Sequence, residues 1–308
     1  MENIRKVTSH LHKKLMQIDG CDPDKEILTL IPTINNMSFL FDENGEFWRM
    51  YLYIWPNKSY DIVPDENIAF EGGKMFGKLQ HLLSDLPGNE LVETIPDFHN
   101  IKKRLETFYR TLEKDTENRA KSVTEEIQFI TERGESMSRI MDLGQAGKIP
   151  RRITHNDTKF NNVLLDENNK GLCVIDLDTV MPGYIHYDFG DTIRTATNTG
   201  AEDEKDLRKV SMNIDIFKGF AKGFLEETRE ILNKSEIDNL VFSGHLMTFT
   251  IGLRFLTDYL SGDIYFRTHH ADQNLDRCRA QFKLFRSQLE QEEKMERIIE
   301  CIIRETAL

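Results

Sequence analysis

The chain has few cysteines, and their spacing excludes disulfide-stabilised and zinc-ribbon domains. Four occur in 308 residues, Cys21, Cys173, Cys278 and Cys301, and no two have the Cys-x-x-Cys spacing of metal or redox pairs. Two of them lie in apolar runs, where a thiol behaves as a small hydrophobic side chain. We therefore expect reduced cysteines with a structural role, as in proteins of a reducing compartment.

Positive charge and long apolar runs are also scarce. The 40 Lys and Arg residues are outnumbered by 52 Asp and Glu residues, and the net charge of −12 disfavours nucleic acid as a partner. Charged residues follow Met1 closely, and the longest uncharged stretch, 239–253, is shorter than a membrane span. The sequence predicts a soluble, cytoplasmic protein with no membrane partner.

One stretch carries the strongest chemical signal. His155, Asp157 and Asn162 follow the order His-x-Asp-x-x-x-x-Asn, and an apolar strand ending at Asp176 comes after a short turn. Phosphoryl transfer needs an acceptor for a hydroxyl proton, oxygen ligands for Mg²⁺ and a cation near the transferred phosphate. We predict that Asp157 is the base and Lys159 is this cation. His155 is interpreted as a hydrogen-bonding residue that shapes the loop.

A predicted β-hairpin explains how the metal ligands meet. Residues 162–166 and 172–175 are short apolar runs separated by a turn-rich segment. Their pairing would bring the oxygens of Asn162 and Asp176 to one end of a two-stranded ribbon, as a hard cation requires. Asp178 is a third candidate ligand, although it could instead organise the loop or serve as a turn residue. Taken singly, each of these side chains could simply cap a backbone group.

These residues carry a resemblance to a known family. The phrases at 155–159, 174–183 and 187–191 are similar to those of the N-acetylhexosamine 1-kinases, some relatives of which are labelled mucin desulfatase. These kinases form part of the aminoglycoside phosphotransferase and choline kinase superfamily of small-molecule kinases. The resemblance spans most of the chain and implies ATP and Mg²⁺ as cofactors, and a nucleotide and an amino sugar as partners.

The resemblance implies an α+β fold, protein-kinase-like, with two lobes. A truncated N-terminal sheet lobe is expected over 1–55 and a mainly helical C-terminal lobe over 56–308. One family feature is missing, since no Gly-x-Gly-x-x-Gly occurs and the chain opens directly on a segment with helical apolar spacing, 2–15. We expect that the glycine-rich hairpin over the nucleotide phosphates is absent from this chain and that nucleotide binding is weak.

Further site residues follow from the resemblance. It implies that Arg254 and Tyr265 contact the sugar, and Asn156, beside the base, is another candidate for a sugar hydroxyl. The alternative for Arg254 is an ion pair with Asp258, four residues along the same helix. Asp188 belongs to an Asp-Phe-Gly triplet, the metal-binding triplet of protein kinases, yet its position resembles that of the buried carboxylate that supports the catalytic loop.

Local patterns predict a small sheet followed by helices. Strands are expected over 28–33, 38–41 and 47–54, the last two joined by a tight turn. Apolar residues at helical spacing predict further helices over 66–86, 101–112, 123–140 and 290–304. Trp55 is interpreted as a core or lobe-contact aromatic residue, with an adenine neighbour as the alternative. Asp191 is expected to cap a helix.

Together these observations predict an ATP- and Mg²⁺-dependent phosphotransferase acting on a small hydroxylated substrate. The anomeric hydroxyl of an N-acetylhexosamine is the expected acceptor. Two alternatives stay open. One is a catalytically impaired, kinase-like binding protein that lacks the phosphate lid. The other is a choline- or aminoglycoside-type kinase, which would need a ring of carboxylates or aromatic residues that the sequence does not reveal.

Overall fold

Helices dominate the computed structural model, which describes residues 1–305. Its α-helices are α1 (Glu2–Leu15), α2 (Pro23–Glu26), α3 (Glu66–Leu82), α4 (Ile101–Lys114), α5 (Thr124–Arg133), α6 (Arg139–Gln145), α7 (Ile185–Ala196), α8 (Ile214–Thr228), α9 (Lys234–Ile237), α10 (Leu240–Leu260), α11 (Gln273–Glu290) and α12 (Glu292–Glu305). Its strands are β1 (Leu30–Ile31), β2 (Leu40–Phe41), β3 (Phe47–Trp48), β4 (Met50–Tyr51), β5 (Arg152–Thr154), β6 (Val163–Leu165), β7 (Gly171–Val174) and β8 (Met181–Gly183). The strands form antiparallel pairs, β1 with β4, β2 with β3, β5 with β8 and β6 with β7.

The first helix has one apolar face, as its sequence spacing predicts. Ile4, Val7, Leu11 and Leu15 are each at most 5% exposed. They belong to one hydrophobic cluster that also contains side chains of α3, α8 and β6. Burial of this face therefore fastens the N-terminal part of the chain to the large helical part through a continuous core.

The N-terminal strands are shorter than expected. The predicted turn is present, with the Gly45 N–H donating to the Asp42 carbonyl at 3.1 Å, and Gly45 has a φ of +79° that suits glycine. Each strand has only two residues, and large apolar side chains stay exposed, including Phe47 at 65% and Trp48 at 61%. Trp55 is 69% exposed, so its interpretation as a core residue is wrong.

The expected helices are present as α3, α4 and α12, with shifted ends, but the one predicted over 123–140 is broken. Gly134 ends α5, and a short 3-10 turn, Glu135–Ser138, precedes α6. A Cβ atom on Gly134 would lie 2.8 Å from Cδ2 of Leu105 on α4. The helix is therefore interrupted where it approaches its neighbour closely.

Glycines let α3 and α8 pack with their backbones in contact. A Cβ atom on Gly73 would overlap the carbonyl oxygen of Phe220, and one on Gly223 would overlap that of Phe70. Because any larger residue would separate the two helices, this contact depends on glycine on both sides. The β6–β7 hairpin packs against this helix pair through contacts of β7 with α3.

One helix in the described part of the chain, α10, is long and apolar enough to cross a membrane by length and composition alone. However, 89% of its apolar window is buried inside the protein. It packs against α4, α7 and α11. Its hydrophobicity is accounted for by this central position in the second hydrophobic cluster.

Candidate active site

The predicted hairpin is confirmed as the β6–β7 pair. Val163 lies opposite Val174, and beyond this pair the Ile175 N–H donates to the Asn162 carbonyl oxygen at 2.9 Å. Asn162 therefore stands next to the residue that precedes Asp176. Asp176 has a left-handed backbone, with φ +60° and ψ +57°, which turns the chain sharply at the end of the strand.

A buried carboxylate holds the backbone of the loop that follows β5. The oxygens of Asp188 accept the N–H of His155 at 2.8 Å and that of Asn156 at 2.7 Å, and the Gln80 amide donates to it at 2.6 Å. Burial raises the pKa of Asp188 to about 6, against the opposing effect of these hydrogen bonds. The loop is thus fixed from below, by a residue on the first turn of α7.

The imidazole of His155 ties the loop to the hairpin. Its Nε2 lies 2.9 Å from the Ile175 carbonyl oxygen, and its Nδ1 accepts the N–H of Asp157 at 3.3 Å. The side chain is fully buried. Both ring nitrogens are therefore engaged with backbone groups, an arrangement that shapes the loop and leaves no nitrogen for proton transfer.

Asp157 and Lys159 face each other across this loop. The Lys159 Nζ lies 3.2 Å from one oxygen of Asp157 and 3.3 Å from the other. Their side chains are 27% exposed for Asp157 and 49% for Lys159, so both can be reached from solvent. The Asn162 amide nitrogen donates to the Asp157 carbonyl oxygen at 2.8 Å, which leaves the Asn162 amide oxygen as the acceptor end.

Asp176 and Asp178 form a pair of carboxylates near Asp157. Burial first, and then the hydrogen-bonded carboxylate of Asp178, raise the pKa of Asp176, and the charge of Asp157 adds to the effect. Asp178 is held by Arg49, whose two terminal nitrogens each lie 2.5 Å from one of its oxygens. This pairing lowers the pKa of Asp178. Arg49 was missed by sequence reasoning, because an arginine in a predicted strand gives no sign of a partner 129 residues away.

Three of these side chains carry oxygen donors of the kind that a hard cation takes, but they do not fill a coordination shell by themselves. Within residues 1–305 no group of three or more His, Cys, Asp or Glu side chains is placed to hold a metal ion. Asp176, Asp178 and the amide oxygen of Asn162 are hard oxygen donors, and the raised pKa of Asp176 reflects its burial near two other carboxylates, Asp178 and Asp157. Such a set suits Mg²⁺, which commonly takes one or two carboxylates and completes its shell with water and phosphate oxygens.

Asn156 serves the loop itself. Its amide nitrogen donates to the carbonyl oxygens of Thr154 and Thr179, each at 3.0 Å, and its oxygen accepts the Thr154 hydroxyl. The residue is 3% exposed and has a φ of +66°. The structure therefore shows that its side chain supports the loop, and the expected sugar contact stays a prediction.

Arg254 and Tyr265 contact each other. The guanidinium lies 3.5 Å from the tyrosine hydroxyl and stacks near three aromatic rings. The alternative ion pair with Asp258 does not form. That carboxylate accepts the N–H groups of residues 264–266 and the Asn274 amide instead.

Asp191 and His99 are two buried residues near the loop whose contacts the sequence did not predict. Asp191 lies inside α7 and pairs with Arg194 at 2.8 Å, both side chains at most 5% exposed, so the expected helix cap is wrong. His99, which sequence reasoning missed, places its Nε2 3.0 Å from the Asn156 carbonyl oxygen. Burial lowers the pKa of His99 to about 4, which keeps it neutral. A lone histidine in a loop carried no pattern that could have revealed it.

Comparison with known proteins identifies a sequence family and a fold. Residues 39–210 match the sequence model of the Phosphotransferase enzyme family. An aminoglycoside phosphotransferase from Alicyclobacillus acidocaldarius superposes with a TM-score of 0.57 and 10% identity, over 98% of this chain and 83% of that one. A choline kinase from Cryptosporidium parvum Iowa II gives 0.52 and 16%, over 98% and 81%. The predicted α+β, protein-kinase-like fold is confirmed.

Proposed function

The chain belongs to the phosphotransferase enzyme family, and from that premise we propose that it transfers the γ-phosphoryl group of ATP to a small hydroxylated molecule. We further propose the anomeric hydroxyl of an N-acetylhexosamine as the acceptor. This finer proposal is supported by the sequence phrases at 155–159, 174–183 and 187–191, which resemble those of hexosamine kinases.

The observation that carries the proposal is the meeting of three oxygen-bearing side chains at one end of the β6–β7 hairpin. The side-chain amide of Asn162 donates to the backbone carbonyl oxygen of Asp157 at 2.8 Å. The backbone carbonyl oxygen of Asn162 accepts the N–H of Ile175, the residue before Asp176, at 2.9 Å. The charge of Asp157 also contributes to the raised pKa of Asp176. An acceptor for a proton and ligands for a cation therefore lie side by side, as phosphoryl transfer requires.

In this proposal Asp157 accepts or orients the proton of the acceptor hydroxyl. Its carboxylate is partly exposed while its backbone is anchored by His155, so it can face a substrate without moving the loop. Lys159, within 3.3 Å of both oxygens, offsets the charge on the transferred phosphate from the same loop. Asp188 and His155 position the base and touch no reacting atom.

Asn162, Asp176 and Asp178 are proposed to hold Mg²⁺. The ion would neutralise charge on the nucleotide phosphates. Asp178 already has a cationic partner in Arg49, and this contact connects the small N-terminal sheet to the proposed ligands. We propose that residues 1–55 and 56–308 act as the two lobes of the enzyme and that it works in the cytoplasm, where its four free cysteines would stay reduced.

The test is an assay of ATP consumption with Mg²⁺ and a panel of acceptors: N-acetylglucosamine, N-acetylgalactosamine, choline and an aminoglycoside. Asp157→Asn should lower kcat by roughly 100-fold or more, since general base catalysis contributes about that much. Its thermal midpoint should match that of the unchanged protein. Asp142→Asn, at an exposed carboxylate paired with Lys102, is the matched control and should keep full activity.

The outcomes separate the alternatives. Full activity in Asp157→Asn would refute the assigned base. Transfer to choline or the aminoglycoside alone would move the substrate class away from amino sugars. ATP binding with no transfer to any acceptor would favour the kinase-like binding protein over the enzyme.

A further inference from the structure

Two arginines on neighbouring helices line one small cavity. Arg104 comes from α4 and Arg254 from α10, and the cavity between them has a volume of about 180 Å³. Thr107, Thr257 and Tyr265 add hydroxyl groups to its wall. This space is several times the roughly 30 Å³ share of one water molecule in the liquid.

Within residues 1–305, neither Arg104 nor Arg254 forms an ion pair with a carboxylate. Arg254 has one long hydrogen bond to Tyr265 and lies 5.3 Å to 5.6 Å from the rings of Phe98, Tyr265 and Phe266. Arg104 donates to the Phe98 carbonyl oxygen at 2.9 Å, while its Nε is buried with no acceptor. A buried donor left unpaired is costly, and cation–π contacts replace only part of an ion pair.

The charges of the cavity do not balance internally. Burial, followed by the charge of Arg104, lowers the pKa of Arg254, and burial lowers that of Arg104. Asp258 also lines the cavity, but its carboxylate already accepts three backbone N–H groups and the Asn274 amide. The chain has 52 acidic residues and only 40 basic ones, so most arginines have carboxylates available as partners. Two arginines without such a partner in one cavity therefore indicate a binding site for an external anion.

Phe98 and His99 connect the cavity to the loop that carries Asp157. Phe98 lies under Arg254 and accepts a hydrogen bond from Arg104, and the next residue, His99, lies 3.0 Å from the Asn156 carbonyl oxygen. Asn156 directly precedes Asp157. A molecule whose hydroxyl faces Asp157 could therefore extend toward the two arginines.

We infer that this cavity binds an anionic substituent of the acceptor molecule, a carboxylate, sulfate or phosphate ester, while a hydroxyl of the same molecule faces Asp157. The inference rests on the proposed function and specifies its substrate class. The planar donor forks of Arg104 and Arg254 fit two oxygens of such a group, and the Tyr265 hydroxyl supplies a further donor.

Calorimetric titration without nucleotide tests the cavity independently of turnover. The probes are N-acetylglucosamine, its 6-sulfate, its 6-phosphate and inorganic sulfate. We expect at least one anionic sugar to bind at least tenfold more tightly than the neutral sugar and than inorganic sulfate. Equal affinity for the neutral and both charged sugars overturns the inference. Sulfate binding as tightly as the tighter-binding charged sugar would show a site for a free anion and overturns it as well.

Three variants on α4 locate the effect. Arg104→Gln should reduce the ratio of anionic to neutral sugar affinity at least tenfold, and Arg104→Lys should restore part of it, since the charge returns without the fork. Arg110→Gln, at an exposed position of the same helix, is the control and should leave the ratio unchanged. An unchanged ratio in Arg104→Gln contradicts the inference.

The same probes as acceptors keep the two proposals apart. Transfer to the neutral sugar with no preference for its charged forms would refute the anion site and leave the kinase assignment standing. Tight, Arg104-dependent binding of a charged sugar without transfer would do the reverse.

Discussion

The carboxylate of Asp188 supports the loop that carries Asp157, although its ionisation is unfavourable inside the protein. It is 2% exposed, and burial raises its pKa to about 6 from an ordinary value of 3.8. Replacing it by asparagine removes the ionisable group at almost constant volume. The variant Asp188→Asn should therefore change the pH dependence of stability in a defined direction.

The sign and size follow from the raised pKa. A carboxyl group that holds its proton more tightly in the folded state contributes stability that is fully present below about pH 4. That contribution is lost as the pH rises through about 6. A shift of about two units corresponds to about 3 kcal/mol in the free energy of unfolding. Relative to Asp188→Asn, the unchanged protein should lose about this amount between pH 4 and pH 7.

A second effect of this substitution is independent of pH. The asparagine can offer an oxygen to only one of the two backbone N–H groups, of His155 and Asn156, that now point at the carboxylate. One buried donor left unpaired costs about 1 to 3 kcal/mol. This offset changes the level of the stability difference between the two proteins but not its slope.

Urea unfolding of both proteins at pH 4, 5, 6 and 7 measures the difference directly. Asp191→Asn is the matched control, three residues along the same helix and equally buried. Burial opposes ionisation of Asp191, but the Arg194 charge prevails and lowers its pKa, so its contribution is lost only as the pH falls below the ordinary range. Its stability difference should be flat above pH 4. A flat curve for Asp188→Asn, or a rise with pH in favour of the unchanged protein, would refute the reasoning.

Two other substitutions probe the scaffold of the site. Arg152→Ala would leave Glu236, 1% exposed at the side chain and bound by Arg152 at 2.7 Å, as an unpaired buried charge. Chemical denaturation should show a loss of about 3 to 5 kcal/mol, whereas Arg151→Ala, at an exposed pair, should cost at most about 1 kcal/mol. Gly183→Ala would place a methyl group against the hydroxyl oxygen of Thr154 on the paired strand β5. This overlap should lower the free energy of unfolding by about 1 to 3 kcal/mol and should also reduce turnover. The control Gly88→Ala, whose added Cβ would have its nearest contact at 3.9 Å, should leave stability and turnover unchanged.

Sequence reasoning succeeded where the physical cause is local. The spacing of Ile4, Val7, Leu11 and Leu15 predicted α1, because a helix that buries one face must repeat its apolar residues every three to four positions. The same holds for the β6–β7 hairpin, in which two short apolar runs flank a turn-forming segment. Sequence reasoning failed for the helix expected over 123–140. That helix breaks at Gly134, where α4 packs closely against it, and the sequence pattern does not show this contact.

For the site, the sequence alone determined that His155, Asp157 and Asn162 lie close to Asp176. The first three are near neighbours in the chain, and the β6–β7 hairpin connects them to Asp176 through a short turn. Only the tertiary structure decided which distant groups complete it. The Arg49 contact with Asp178 spans 129 residues, and the two arginines of the cavity come from helices about 150 residues apart in sequence. Such contacts depend on how whole helices pack, and packing is a property of the assembled core that no local pattern encodes.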